Sequence, residues 1–207
     1  MPDTTRDIVY ILTNPAMPGM IKIGKTTQVD MHSRMAQLYT TGVPVPFDCV
    51  YACEVEDYTK VEQALHTAFG DRRVNPRREF FEVQPERVLA VLKLLAIADV
   101  TPRLEKELSL GLDSDDKQSA ENLKRSRPNI NFLQMGIPVG AILVYKDDGT
   151  IQVTVVDGRH VEYKGVSCSL TKATRDILGL ELGFPLRPTP YWTYQGRSLI
   201  DIYEDWA

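Results

Sequence analysis

Two short apolar runs near the start of the chain, separated by a turn sequence, constrain the fold most strongly. The runs are IVYILT (residues 8–13) and MIKIG (residues 20–24). The segment between them, NPAMPG, contains two prolines and a glycine, which end strands and favour turns. The sequence therefore predicts an antiparallel β-hairpin with one unusual feature, the lysine Lys22 in the middle of its second strand.

Helical and strand patterns alternate after the hairpin. Apolar residues at a spacing of three or four predict helices, and strict alternation predicts strands. Helices are predicted from Asp30, over 61–69 and after Pro85, and strands over 47–56 and 79–83. We expect residues 1–98 to form one small α+β domain, in which helices flank a small antiparallel sheet. Cys49 and Cys53 alternate in phase, so we expect both on one face of their strand as core residues.

The composition changes after this domain. Residues 99–128 are mostly polar and charged, which is typical of a linker, although RLEKELSLGL within them has the pattern of a short helix. Residues 129–207 then contain strand-like runs separated by the turn signals DDG and DGR, followed by a helix with Ser169 as N-cap and Gly179 at its end. We predict a second small α+β domain over 129–207.

Charge and hydropathy exclude some classes of protein. The 207 residues carry a net charge of −4, so any nucleic-acid contact needs a local concentration of basic residues. No run approaches the roughly 18 apolar residues of a membrane span, and no leader pattern opens the sequence. We expect a cytoplasmic protein without a membrane partner.

Several motifs of the first domain occur together and in order. Ile8-Val9-Tyr10 and Lys22-Ile23-Gly24 are followed by a helix with Arg34, a helix with Glu62 and the segment NPRREFFEV. This arrangement, over residues 7–95, resembles the GIY-YIG nuclease superfamily, most closely its short phage-type branch with KIG in place of YIG. The resemblance implies hydrolysis of DNA phosphodiester bonds with Mg²⁺ or Mn²⁺ as cofactor.

The resemblance also implies roles for individual residues. Tyr10 matches the tyrosine that orients or deprotonates the attacking water, and Lys25 the lysine after the glycine. Arg34 matches the arginine that contacts the scissile phosphate, and Glu62 the carboxylate that holds the metal. The residues themselves agree with a phosphodiester site, which needs charge neutralisation, a metal and a positioned water.

Each candidate also has a simpler interpretation. Arg34 lies about 40° from Leu38 on a helical wheel, where it could emerge at a sheet edge or remain an ordinary surface arginine. Glu62 and His66 are four residues apart, so both could serve catalysis or form a solvated pair. Tyr10 could be a core residue.

Lys22 departs from the family pattern. An ammonium group cannot accept a proton, so Lys22 either binds phosphate or lowers the pKa of Tyr10 in an active centre, unless it simply faces solvent. Glu79, in RREFFEV, either supports the site or caps a strand edge. Arg72, Arg73, Arg77 and Arg78 lie within seven positions; they form either a solvated loop or, as we favour, a patch that contacts DNA phosphates.

Two segments of the second domain are GIPVGAILVYKDDGTIQVTVVDGRHVEYKGVSCSLTKATRDILG and PYWTYQGRSLIDIYE. They resemble a small module that is appended to restriction and modification enzymes and to GIY-YIG proteins, a relative of the domain named for its association with adenine methylases. The resemblance implies DNA binding, in which modified bases could be recognised. From the residues themselves, Lys172 and Arg175 on one helix, and Arg197, are candidates for contacts with DNA. Tyr191, Trp192 and Tyr194 either stack on bases or fill the core. We therefore predict a GIY-YIG-type endonuclease that acts in restriction of foreign or modified DNA. The alternative is a catalytically silent DNA-binding or regulatory adaptor; the oligomeric state is undetermined, and a homodimer stays open.

Overall fold

The protein consists of two compact units. The structure is a computed structural model that describes residues 7–39, 42–182 and 184–207. The boundary between the units lies between Ser126 and Arg127. Each unit contains an antiparallel sheet with helices, which confirms the predicted α+β class.

The first unit is built on a central hairpin. Its elements are β1 (Asp7–Thr13), β2 (Ile21–Thr27), α1 (Met31–Leu38), β3 (Asp48–Val55), α2 (Tyr58–Ala68), β4 (Phe80–Phe81), α3 (Pro85–Leu95), β5 (Ala98–Asp99), α4 (Thr101–Ser109) and α5 (Ser114–Ser126). The strand order is β4-β2-β1-β3-β5, and every neighbouring pair is antiparallel. The predicted hairpin is confirmed as β1 and β2.

Helices cover both faces of β1. On one face, Ile8, Tyr10 and Leu12 pack with Met31 and Met35 of α1. On the other face, the intervening residues of β1 are also fully buried, and α2 and α3 contact the strand. A strand buried on both sides is apolar at nearly every position, which explains why IVYIL does not alternate.

A bulge in β3 separates the two cysteines predicted to share a face. The β1–β3 register shifts between Ile11 and Leu12, so that Leu12 pairs with Cys49 while Val9 pairs with Cys53. Cys49 packs against the same cluster as Tyr10, whereas Cys53 points to the opposite face. The prediction of a common face was wrong because a bulge adds one residue and reverses the alternation beyond it.

The segment 99–128 is more structured than a polar linker. It contains α4 and α5. In α4, Leu104 is fully buried and Leu108 packs against the same cluster as Met31. α5 is connected through the Tyr39 hydroxyl, which donates to Asp116, and through an ion pair of 3.0 Å between Lys124 and Asp48. These few apolar and polar contacts attach two helices whose remaining residues are mostly polar or charged.

The second unit is a sheet flanked by short helices. Its elements are β6 (Ile142–Tyr145), β7 (Gln152–Val155), β8 (His160–Tyr163), β9 (Val166–Ser169), α6 (Leu170–Leu178), β10 (Trp192–Tyr194), β11 (Arg197–Ser198) and α7 (Leu199–Trp206), with strand order β11-β10-β6-β7-β8-β9. The predicted caps of α6 are confirmed: Ser169 accepts a hydrogen bond from Lys172 N, and Gly179 adopts a left-handed φ of 64°.

Trp192 belongs to the core of this second unit. It is fully buried, and its indole N–H donates to Thr174 Oγ1 over 2.8 Å. Tyr191 is also buried, while Tyr194 is half-buried. Trp192 therefore fills the core instead of offering a stacking surface. None of the helices in the described ranges combines the length and apolar character needed to cross a membrane.

Candidate active site

A groove opens where the short strand β4 ends. β4 pairs with β2 only at Ile21 and Lys22, and Glu79 O accepts one further hydrogen bond from Ile23 N. Past Ile23 the edge of β2 borders a groove of about 450 Å³, which we call the edge groove. Its lining residues are Lys25, Thr26, Thr27, Asp30, Ser33, Arg34, Gln37, Tyr58 and Glu79.

Tyr10 reaches towards this edge across Gly24. The two residues are directly paired between β1 and β2. A Cβ atom at Gly24 would lie 2.6 Å from the Tyr10 hydroxyl and equally close to the ring. Since real Cβ contacts of this length are essentially never seen, only glycine leaves room for the tyrosine ring. The tyrosine of the IVY motif and the glycine of the KIG motif therefore pack directly against each other.

The Tyr10 hydroxyl is buried and has no hydrogen-bond partner of good geometry among the described residues. Burial is the main cause that raises its pKa, to about 12. The charge of Arg34 opposes this rise, while the carboxylates Glu79 and Glu62 add to it. Tyr10 is therefore a neutral phenol at neutral pH, and the nearby cation that acts on it is Arg34.

Glu62 faces inward from α2. This helix begins at the N-cap Asp57, whose carboxylate accepts from Lys60 N, and it buries Glu62 together with Leu65. One oxygen of Glu62, Oε2, lies 3.1 Å from Lys25 Nζ. The other, Oε1, is buried without a hydrogen-bond partner in the described part of the chain. An orphaned carboxylate oxygen is costly to bury, so a cation or donor at this position would stabilise it.

Lys22, Arg34 and Glu79 form a second charged cluster. Lys22 Nζ forms an ion pair with Glu79 Oε2 and lies 5.4 Å from the centre of the Phe80 ring. Arg34 Nη2 approaches the same oxygen at 3.5 Å. Burial disfavours the charged form of Glu79, but the hydrogen bond and charge of Lys22, followed by the charge of Arg34, hold its pKa below the usual range.

The contacts of Lys22 differ from those that its sequence context predicts. Arg34, and not Lys22, is the cation that lowers the pKa of Tyr10. Lys22 instead forms an ion pair with Glu79. The sequence leaves the role of Glu79 open because its partner lies 57 residues away in the chain. The signal in the sequence was the lysine itself, since a cation buried inside a strand needs an anion beside it.

His66 is half-buried, and its ring contacts β2 and β4. Its Nε2 lies 3.1 Å from the carbonyl oxygen of Ile23, and its ring centre lies 5.0 Å from that of Phe81. His66 therefore docks α2 onto β2 and β4. Lys25 and Arg34 line the edge groove together with Glu79. The buried Tyr10 and Glu62 lie beside these residues but are not among those that line the groove. His66 is close enough to Glu79 for its charge to lower the pKa of that carboxylate.

The described residues contain no group of three or more His, Cys, Asp or Glu side chains able to hold a metal ion. The donor set is nevertheless suitable for Mg²⁺ or Mn²⁺. Mg²⁺ keeps several waters and is commonly held by one or two carboxylates together with substrate phosphates. Glu62, with its orphaned Oε1, fits such a site as the protein ligand.

The four arginines of the loop before β4 are not equivalent. Arg72 is ion-paired with Asp71 at 3.2 Å, and Arg73 donates to Arg78 O and lies over the Phe81 ring. The exposed side chains of Arg77 and Arg78 make no hydrogen bond or ion pair with the described residues. These two arginines, next to Glu79 in the chain, are the part of the predicted patch that stays accessible to phosphates.

The basic residues predicted to contact DNA from the second unit have partners within it. Lys172 is ion-paired with Asp176 at 2.8 Å, and Arg197 is ion-paired with Asp205. Arg175 donates to Phe184 O, and its Nε is buried without a partner in the described part of the chain. Their proposed contacts with phosphate remain a prediction.

The comparison with family models agrees with this geometry. Residues 7–96 match the T5orf172 domain. This domain is phage-associated and is related to GIY-YIG/HNH-type nuclease folds. The matched segment runs from β1 past the end of α3, and it includes every residue placed around the edge groove. No curated protein and no solved structure matches the chain.

Proposed function

We propose that the first unit is a metal-dependent endonuclease that hydrolyses DNA phosphodiester bonds in the edge groove. The observation that carries the proposal is the orphaned, buried Oε1 of Glu62, in a site it shares with Arg34 and Tyr10. A buried carboxylate oxygen without a donor is unfavourable by itself and is well suited to bind a divalent cation.

Each side chain has a distinct role in this proposal. Arg34, whose side chain is 35 % exposed at the groove, neutralises the nonbridging oxygens of the scissile phosphate, where charge grows in the transition state. Glu62 would hold Mg²⁺ or Mn²⁺, which supplies positive charge at the leaving oxygen and a bound water of lowered pKa. Lys25, paired with Glu62, balances this carboxylate and adds a cation to the groove.

Tyr10 is suited to hold a water molecule and less suited to act as an unaided base. With a pKa of about 12, its phenol is protonated at neutral pH and offers a hydrogen-bond donor and an acceptor lone pair. Its hydroxyl, which has no hydrogen-bond partner of good geometry among the described residues, lies next to Arg34 in a buried position that Gly24 keeps clear. Tyr10 is therefore suited to orient the attacking water through a hydrogen bond.

The partner in this proposal is DNA, and the second unit is its recognition module. The proposal extends to restriction of foreign or modified DNA, supported by the phage association of the matched domain. Arg77 and Arg78 are exposed, precede the groove residue Glu79 in the chain and make no ion pair with the described residues. They supply the local positive charge that DNA binding needs in a chain whose net charge is −4.

The test is cleavage of plasmid and linear duplex DNA, modified and unmodified, with and without Mg²⁺ or Mn²⁺. Wild-type protein is expected to cut only with metal. Glu62→Gln, which keeps the size of the side chain, should cut far more slowly while binding DNA nearly as well. Glu56→Gln, at an exposed carboxylate just before α2, is the control. Cutting by Glu62→Gln at the wild-type rate would refute the mechanism; DNA binding without cleavage by any variant would favour the adaptor.

A further inference from the structure

Two cations of the site compete for one carboxylate oxygen. Both Lys22 Nζ and Arg34 Nη2 are directed at Oε2 of Glu79. The contact of Lys22 is the direct one, whereas Arg34 stands off at 3.5 Å and reaches Oε2 through one nitrogen. A strong arginine–carboxylate pair is shorter and uses two parallel hydrogen bonds. Glu79 is therefore neutralised mainly by Lys22.

Lys22 is held away from the lining of the edge groove by its ion pair. Its side chain is only 7 % exposed, it lies in the segment of β2 that pairs with β4, and it packs against the Phe80 ring. Lys22 is not among the described residues that line the edge groove, whereas Arg34 and Glu79 both line it. A direct phosphate contact by Lys22 would require it to leave its ion pair.

We propose that Lys22 is a positioning residue that keeps Glu79 from capturing Arg34. This inference rests on the proposed function, in which Arg34 must be free to bind the phosphate. A guanidinium matches a carboxylate better than an ammonium does, because its planar fork can form both hydrogen bonds at once. Without Lys22, the remaining cation at Glu79 Oε2 is Arg34, and the two would close into a bidentate pair. The guanidinium would then be turned away from the groove.

A cycle of substitutions separates this role from direct catalysis. Lys22→Met keeps most of the length of the side chain and removes its charge. We expect kcat to fall about 30-fold, less than deletion of the arginine itself would cause. Glu79→Gln leaves the buried Lys22 without its anion and should therefore lower stability. Its rate of cleavage should fall only about threefold, since the long, partly exposed pair with Arg34 contributes little. The double variant should return to the level of Glu79→Gln, because no carboxylate is left to capture Arg34.

The rate of the double variant can also overturn the proposal. If Lys22 contacts the phosphate, the double variant will be at least as slow as Lys22→Met, and the proposal is overturned. Lys60→Met, at an exposed lysine paired with Asp57, is the matched control for the loss of a charged pair. All rates are taken at least 10 °C below the lowest melting temperature, about the margin at which a small domain stays folded. A loss of stability then cannot imitate a loss of rate.

A second readout does not depend on cleavage. The side-chain N–H signal of Arg34 Nε, followed by nitrogen-edited NMR, should shift and exchange more slowly with water in Lys22→Met, and it should recover in the double variant. An unchanged Arg34 signal in Lys22→Met would overturn the proposal. If the wild-type protein cuts no DNA, the proposed function fails, but this signal still decides whether Lys22 keeps Glu79 and Arg34 apart.

Discussion

The ring of Tyr10 occupies the space that a side chain at Gly24 would fill. The two residues pair directly between β1 and β2, and a Cβ atom at Gly24 would meet Tyr10 Oη at 2.6 Å. The glycine of the KIG motif is therefore a steric requirement of the tyrosine in the IVY motif. Because Tyr10 is fully buried, its ring has no free space into which to withdraw.

Gly24→Ala should accordingly disturb both folding and activity. We expect a loss of about 1–3 kcal/mol in the free energy of unfolding, as for other overpacked core positions, together with slower cleavage. Gly70→Ala is the matched control, since a Cβ atom there meets nothing within 4 Å. Urea unfolding and cleavage rates of the two variants test this. Equal stability of both would contradict the steric argument.

Arg34→Ala should reduce the rate of cleavage more than the affinity for DNA. The guanidinium faces charge that develops in the transition state, and removal of one such preorganised donor costs about 10² to 10³ in rate. Folding should survive, because Arg34 is only half-buried on α1. Arg103→Ala, at an exposed arginine of α4, serves as the control. If both variants cut equally fast, Arg34 has no part in the chemistry.

Arg77 and Arg78 should contribute to DNA affinity by binding phosphates. Replacing both with glutamine should weaken binding to all sequences alike and make the slope of log K against log salt shallower, by about 0.9 for each phosphate that the protein no longer neutralises. The measurement is a binding titration at several salt concentrations. Arg72→Gln should have a smaller effect, since Arg72 is already paired with Asp71. If the salt slope is identical to that of the wild type, Arg77 and Arg78 do not contact DNA phosphates.

Glu86, in the first turn of α3, should make the first unit less stable at high pH. Burial raises the pKa of Glu86 to about 7, against the opposing effects of its own backbone amide and of Arg87. The folded state thus keeps a proton that the unfolded state releases near the ordinary carboxyl pKa of about 4.3. The free energy of unfolding therefore falls as the pH rises through this window.

Glu86→Gln should remove that dependence. We expect the variant to be more stable than the wild type at pH 8, by on the order of 2 kcal/mol, and similar to it at pH 4.5. Urea titrations followed by NMR signals of β1 report on the first unit alone, which matters because both tryptophans lie in the second unit. Glu82→Gln, at an exposed carboxylate, is the control. A stability difference that does not change with pH would contradict the prediction.

The segment 113–127 should open more readily than α2 or α3. Its helix, α5, buries Ala120 but little other apolar surface, and its contacts include the exposed ion pair of Lys124 with Asp48. Few buried apolar groups offset the entropy lost when the segment is ordered. Hydrogen exchange should be fast there. Strong protection across the whole segment would disprove this expectation.

Elements with strong local patterns could be predicted from the sequence. The hairpin, β3, α3 and the caps Ser169 and Gly179 depend on side-chain spacing and on the turn preferences of proline and glycine, which act over a few residues. The order of the motifs indicated Tyr10, Arg34 and Glu62 as candidate residues of a phosphodiester-cleaving site. The sequence could not show that Tyr10 and Glu62 lie beside the groove that Arg34 lines, since three separate elements carry these residues.

Contacts between distant residues required the tertiary structure. The sequence shows a lysine inside a strand, but only the pairing of β2 with β4 brings Glu79 to Lys22 and thereby gives Arg34 a competitor. Likewise, the bulge that separates Cys49 from Cys53 arises from the pairing of β3 with β1, and α4 joins the first unit through Leu104. The amino-acid sequence determined which residues could take part in the site, because strand and helix patterns are local. The tertiary structure alone decided which charges meet, because an ion pair depends on the distance between side chains far apart in the chain.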